Sequence, residues 1–402
     1  MQNLPPLAGL TVVEMATFVA GPSAGLSLAQ LGADVVRIDP VGGAVDINRW
    51  PLAPNGRSLY WSALNRNKRS VELDVRSKEG RELVVRMICG DGPDRGIFID
   101  NQVGQDWLSW EALSAVRRDL IHVHIEGYRG GRPAVDYTVN AEVGVPMITG
   151  PEGYGRPVNH VLPAWDLWCG QAAATAVLAA LRRREQTGEG ARIDLSLADS
   201  ALAGVANLGW LSEAALAGVE RTQIGNSLYG SFAREFATAD GRYVMVVALT
   251  PHQWRALVSV TQTADAVAAL ESELAVNFVA DDSARYHHRH PLGGLFERWF
   301  AARDLDTIAE ALTSARVLWS AYRSLTEAAA ALDGPLRELD QPGIGTVISA
   351  SSPLRFTDFT DEVRPAPALG ADTVSTLAEL AGADEETLAA LVAASVIGSH
   401  DA

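Results

Sequence analysis

The chain has 402 residues, 48% of them hydrophobic and 20% charged, an ordinary globular balance with room for two domains or one large domain carrying an insertion. The formal net charge of −16 argues against nucleic acid and anionic membrane as partners, and no apolar run reaches the ~18 residues of a membrane span. The two cysteines, Cys89 and Cys169, make neither a disulfide framework nor a zinc pattern.

The start of the chain lacks the basic stretch and apolar core of a signal peptide, so a cytoplasmic location is expected. Charge is unevenly spread. Residues 1–100 carry acidic and basic side chains in equal number, and the acidic excess lies downstream. A neutral first quarter holding Arg66, Lys68 and Arg69 suits a polyanionic ligand.

Residues 10–15 read as a short apolar strand, 20–25 as a glycine-containing turn, 26–31 as a helix stopped by Gly32, and 34–39 as a second strand. That order predicts a βαβ unit on a parallel sheet. Strand 71–75, helix 78–89, strand 96–100, helix 110–118 and strand 120–126 repeat the alternation, so a doubly wound α/β sheet is expected. Gly21-Pro22-Ser23-Ala24-Gly25 is not G-x-G-x-x-G, which disfavours a dinucleotide. The turn reads either as a capped βα connection or as a helix start facing a diphosphate.

Residues 159–171 lead into an Ala- and Leu-rich helix over 172–184. Pro163 suits a helix start, since it has no N–H to give. Asp166 falls in or beside the first turn, where free N–H groups and the helix dipole favour negative charge. Taken alone it reads as an N-cap. Leu162, Trp165, Leu167 and Trp168 would shield it from water, and Cys169 reads as plain core. A turn at 186–190, a strand at 191–197 and a helical connector at 199–217 follow.

From residue 226 the pattern changes. A hairpin around 239–242 and helices at 252–260 and 295–302 make a smaller α+β unit. Residues 341–356 read as an extended return segment, and 373–381 and 384–396 as helices. The expected division is a large domain at 1–198, a helical linker at 199–225, a small domain at 226–324, a return linker at 325–372, and helices at 373–402 packed on the large domain. His287, His288 and His290 read as a solvated helix start, because consecutive residues cannot easily face one ion. No metal site is expected.

The run Val-Asn-His-Val-Leu-Pro-Ala-Trp-Asp at 158–166 resembles the nucleophile segment of the family III CoA-transferases, where an aspartate heading a long helix attacks an acyl-CoA thioester. Residues 7–10 and 20–22 resemble the family's opening, 31–38 its second strand, and 64–70 its Asn-x-x-Lys-Arg-Ser element. Residues 187–190 are similar to the turn after the nucleophile helix, and 341–343 and 365–370 resemble the tail. The resemblance therefore runs along nearly the whole chain. It implies a Rossmann-like large domain with a parallel sheet, a small α+β domain, and two chains interlocked as a homodimer. It also implies Asp166 as the catalytic nucleophile, with coenzyme A arriving as part of the substrate and no cofactor permanently bound.

The CoA contacts implied by the resemblance are Phe18, Val19, Ala20, Arg66, Lys68, Leu73, Arg76 and Asn101. Pro40 departs from the pattern, standing where many members have an arginine. The residues implied for the acyl group are Asp136, Tyr137, His160, Arg49 and Gly230, the last in a loop that lets backbone approach the thioester. Within the family the wording is most similar to the branch that moves CoA from the C1 to the C4 carboxyl of mesaconyl-CoA, the thioester of a small unsaturated dicarboxylic acid. Transfer to a separate acid is the first alternative. Racemisation of a 2-methylacyl-CoA is a second, and it calls for a histidine where Val135 stands. A non-catalytic acyl-CoA binder is the third. With an ordinary pKa of ~3.9, an aspartate nucleophile would be ionised at neutral pH and need no base.

Overall fold

A computed structural model describes residues 4–218 and 220–398. Residues 1–3, 219 and 399–402, which fall in the expected first domain, linker and terminal helices, lie outside the described residues. The chain opens with β1 (Thr11–Met15), α1 (Ala20–Gln30), β2 (Asp34–Asp39), α2 (Leu59–Leu64), β3 (Arg69–Glu72), α3 (Lys78–Cys89), β4 (Ile97–Asp100), α4 (Trp110–Val116) and β5 (Ile121–Glu126). It continues through α5 (Asp136–Glu142), α6 (Val145–Ile148), α7 (Ala164–Thr187), β6 (Ala191–Ser196), α8 (Leu197–Asn207) and α9 (Trp210–Ala217).

Strands β1 to β6 form one six-stranded sheet in the order β3-β2-β1-β4-β5-β6, and every neighbouring pair is parallel. Helices cover both faces of such a sheet, which is why its strands are rich in Val and Ile and β1 is buried along its whole length. The strand order reverses between β1 and β4. Loops leaving the carboxyl ends of strands on either side of such a reversal diverge and open a crevice.

Helix α1 starts at Ala20 rather than at residue 26, so the expected glycine turn is helical. Pro22 sits in the first turn, where its missing N–H costs nothing. A Cβ on Gly21 would stand 2.2 Å from the Ala16 Cβ, and one on Gly25 would stand 1.8 Å from Glu14 Oε2. These glycines bring α1 down onto β1 instead of turning the chain. Helix α7 is longer than expected and ends at Gly188, whose φ of 70° closes it in the left-handed conformation. The expected connector at 199–217 is two helices, α8 and α9, parted at Gly209 with φ 76°.

The residues group into two compact units. The first gathers residues up to 143, 160–217 and those from 332 onward. It holds the parallel sheet, a β-hairpin and two helices near the C-terminus. The second gathers 144–159 and 218–331. Its core is aromatic, built on Phe232, Phe236, Trp254, Phe296 and Phe300. In that unit β7 (Phe232–Ala237), β8 (Tyr243–Ala248) and β9 (Leu318–Ala321) form an antiparallel sheet, accompanied by α10 (Pro251–Val260), α11 (Ala264–Leu274), α12 (Asp282–His287), α13 (Arg289–Ala301), α14 (Leu305–Ser314) and α15 (Leu325–Ala331). In the first unit the expected extended segment at 341–356 is instead half of a hairpin, β10 (Leu336–Gln341) against β11 (Gly345–Ala350). Helices α16 (Thr373–Ala381) and α17 (Glu385–Ala393) close the same core as α3.

Candidate active site

A cavity of about 850 Å³ opens at the carboxyl ends of β1, β4 and β5. Thr17 to Ala20, Asn101 to Gly104 and His124 to Gly127 line it from those strand ends. Arg49, Trp50 and Tyr60 close one side, and Val135 to Tyr137, Pro163 and Asp166 another. All of these residues belong to the first unit.

The cavity's first loop is held by polar side chains. Asn101 and Thr17 exchange two hydrogen bonds of 3.2 Å, the amide of one to the backbone of the other. Phe18 adopts φ 68°, a left-handed conformation that costs a bulky residue energy. Its N–H donates to Asp46 Oδ2 at 3.0 Å, and Asp46 is in turn held by Arg37 Nη2 at 3.0 Å. The Arg49 guanidinium lies 5.2 Å from the centre of the Phe18 ring and 5.3 Å from that of Tyr60.

Helix α7 presents Asp166 in its first turn, yet Asp166 is not the cap. The cap comes from α5. Asp136 Oδ2 accepts from the Trp165 N–H at 2.7 Å and from the Asp166 N–H at 3.2 Å. Asp136 Oδ1 accepts from His160 Nε2 at 2.9 Å. One turn along α5, Asn140 Oδ1 accepts from the Trp165 indole at 3.0 Å. Two side chains on one face of α5 therefore clamp the head of α7, and among the described residues no donor reaches the Asp166 carboxyl.

Burial pushes the Asp166 carboxyl up to about 7, the Asp136 charge pushes the same way, and Arg49 opposes both. The expectation of a carboxylate fully ionised at neutral pH is thereby corrected, because a low-dielectric wall and a like charge both disfavour the anion. Burial likewise pushes the Cys169 thiol up to about 12, which leaves it protonated and unreactive.

Of the residues implied by sequence, Phe18, Val19, Ala20, Arg49, Asn101, Asp136, Tyr137 and Asp166 line this one cavity, and His160 reaches it through Asp136. Others stand elsewhere. Lys68 is fully buried, with Nζ 2.9 and 3.0 Å from the Glu14 oxygens and further bonds to the Pro22 carbonyl and Asn65 Oδ1. Its charge neutralises a buried acid and leaves nothing for a phosphate. The Leu73 side chain is wholly buried and presents no face to an adenine. Arg66 donates to the Ala350 carbonyl. Arg76 is exposed and lines a second cavity of about 440 Å³ with Lys78, Arg81, Arg86 and Trp107. Gly230 lies in the second unit with φ 78°.

Sequence reasoning passed over His124 and Asp46. Asp100 bridges two histidines, Oδ2 to His122 Nε2 and Oδ1 to His124 Nδ1 at 2.9 Å, and the latter ring borders the cavity. The available signal was His-x-His in a predicted strand, since residues two apart share a face. These are the described residues whose donor atoms are grouped closely enough to hold a metal, within 4.8 Å of one another. Each carboxylate oxygen already faces an imidazole nitrogen. For Asp46 the sequence offered only an acid ahead of a Trp-Pro pair.

The fold agrees with that of a solved relative, and the sequence with a known family. The family model for CoA-transferase family III matches residues 7–373. The chain is 43% identical over 98% of both sequences to 2-methylfumaryl-CoA isomerase of Chloroflexus aurantiacus, and 28% identical over 98% of both to succinyl-CoA–D-citramalate CoA-transferase of the same organism. The crystal structure of a CAIB/BAIF family protein from Brucella suis superposes with a TM-score of 0.76 at 26% identity, covering 94% of this chain and all of that one. With a family model matching residues 7–373 and a relative 43% identical over nearly the whole of both sequences, the chain belongs to CoA-transferase family III.

Proposed function

We propose that this CoA-transferase moves coenzyme A from one carboxyl group to the other of a single small branched unsaturated diacid, with mesaconyl-CoA (2-methylfumaryl-CoA) as substrate and Asp166 as nucleophile. The observation that carries the reading is the Asp166 carboxyl on the cavity wall, unbonded, with a cation beside it. Similarity to the isomerase of Chloroflexus aurantiacus supports the substrate.

The ionised Asp166 attacks the thioester carbonyl, the C–S bond breaks, and a mixed anhydride and CoA thiolate result. The thiolate then attacks the aspartyl carbonyl, and the acyl group leaves as a free diacid. The other carboxylate of that diacid attacks the aspartyl thioester and expels the thiolate. Attack of the thiolate on the new acyl carbonyl restores Asp166. No atom is lost or gained, and CoA is part of the substrate throughout.

In this reading Arg49 and Tyr137 hold the free carboxylate, and the Phe18–Ala20 loop with Asn101 lies along the thioester arm of CoA. Arg76 and its basic neighbours meet the nucleotide end. The oxyanion formed at each attack needs hydrogen-bond donors, and one missing donor typically costs ~2.7–4 kcal/mol. The enzyme works as an interlocked homodimer in the cytoplasm.

Incubation with the C1 thioester of mesaconate and no added acid is expected to yield the C4 thioester, and Asp166→Ala to abolish it. Hydroxylamine added during turnover is expected to leave a hydroxamate on Asp166, read by mass spectrometry. Turnover that begins only when a second acid is supplied would replace this reading with intermolecular transfer.

A further inference from the structure

The head of α7 carries two acids where one anion would satisfy it. The free N–H groups of Trp165 and Asp166 are the donors a helix start offers, and both go to Asp136. The natural anion of this helix end is therefore Asp136, supplied from α5 and 2% exposed. Asp166 is left on the cavity wall, with no hydrogen bond from the described residues to hold its charge.

We propose that Asp136 is a positioning residue. It fixes the first turn of α7 through two backbone amides and keeps a second negative charge beside Asp166, while His160 anchors its other oxygen.

This rests on the reading of Asp166 as nucleophile and differs from the substrate contact first expected of Asp136. Three of the roughly four acceptor sites of the Asp136 carboxylate are spent inside the protein and the side chain is buried, so little of it is left to hold a substrate. The groups that bear on Asp166 are Asp136 from α5, Arg49 from the loop after β2, Tyr60 from α2, and Cys169 on its own helix. Among them Asp136 is the acid. A neighbouring anion makes a carboxylate more basic, and therefore a better nucleophile toward a thioester once ionised. The same anion also resists a second negative charge, so a free acid entering the site meets less repulsion when Asp166 carries an acyl or thioester group and is neutral.

The test separates charge from shape. The Asp166 carboxyl is followed by infrared difference titration of the full-length enzyme, with Asp166→Asn as the blank. Asp136→Asn keeps an oxygen for the helix amides and removes the charge. It is expected to lower the titration midpoint of Asp166 by ~1 unit or more. The pH profile of kcat should move with it, kcat on the alkaline plateau should fall roughly tenfold, and KM should hold. Asp136→Glu retains the charge and is expected to return the midpoint to within about half a unit of the native value. A midpoint unmoved in Asp136→Asn overturns the proposal, as does one in Asp136→Glu that falls as far as in the asparagine variant. If Asp136→Asn does not fold, Asp136→Ser, which also removes the charge and keeps an acceptor oxygen, is titrated in its place against the same criterion. The infrared readout needs no turnover, so a midpoint that moves as expected without isomerisation would remove the proposed function and leave this inference standing.

Discussion

Asp166 is costly to the fold in its ionised form. Its carboxyl is pushed up to about 7 from an ordinary value of 3.8, burial being the main cause. Between those two pH values the folded state holds a proton that the unfolded chain releases, so stability falls as pH rises from about 4 to 7. Above that window the penalty is constant, because both states are ionised. Asp166→Asn removes the charge and keeps the size. The variant is therefore expected to be inactive and more stable than the native protein at pH 8, by on the order of 2 kcal/mol after discounting for partial exposure. The gain should shrink toward zero near pH 4. Thermal melts of both proteins at the two pH values check this, and equal melting temperatures at pH 8 would count against a buried, strained acid.

At the scale of elements, the site depends on how closely α1 and α7 approach. Gly170 faces α1 from the second turn of α7, and a Cβ there would lie 2.0 Å from Ser23 Oγ and 2.7 Å from the Ala20 carbonyl. Alanine would ordinarily improve a helix interior by ~1 kcal/mol. Here the contact includes backbone, which cannot swing aside, so Gly170→Ala is expected to lose ~1–3 kcal/mol in chemical denaturation and to weaken substrate binding by displacing the Phe18–Ala20 loop. The same helices show what a sequence reveals. The βαβ alternation was legible because strand β1 and strand β2 are short runs built on paired valines, Val12-Val13 and Val35-Val36, with a breaker at Gly32 between them. The start of α1 was not, since glycines that serve close packing look the same in a sequence as glycines that serve a turn. The place of Asp166 in the first turn of α7 was legible through its neighbours. Its cap was not, because Asp136 is thirty positions away and only folding brings it to the amides of Trp165 and Asp166. Hairpin β10–β11 escaped notice for a related reason: its strands mix polar and apolar residues and are half exposed, so they carry no strict alternation of apolar side chains to mark a buried face.

At the scale of the molecule, the first unit exposes large apolar side chains along α8 and α9. Leu208 is 64% exposed and Leu216 is 89% exposed, with Leu202 and Leu211 also facing outward. Single exposed leucines need no explanation, but a run of them along consecutive helices is the kind of surface that interfaces use. The proposed homodimer supplies that chain, and an interlocked dimer makes a demand that an ordinary one does not. Two chains threaded through each other cannot separate by breaking surface contacts alone; at least one must unfold. Light scattering is expected to give about twice the chain mass of 42.8 kDa. When a tagged and an untagged dimer are mixed, hybrids should be absent after days at 25 °C and should form after the mixture is unfolded and refolded together. An ordinary dimer re-equilibrates at its dissociation rate, with residence times from milliseconds to days. Hybrids appearing within hours, well below the melting temperature, would mean that the chains are docked and not linked, and a mass of one chain would remove the dimer altogether.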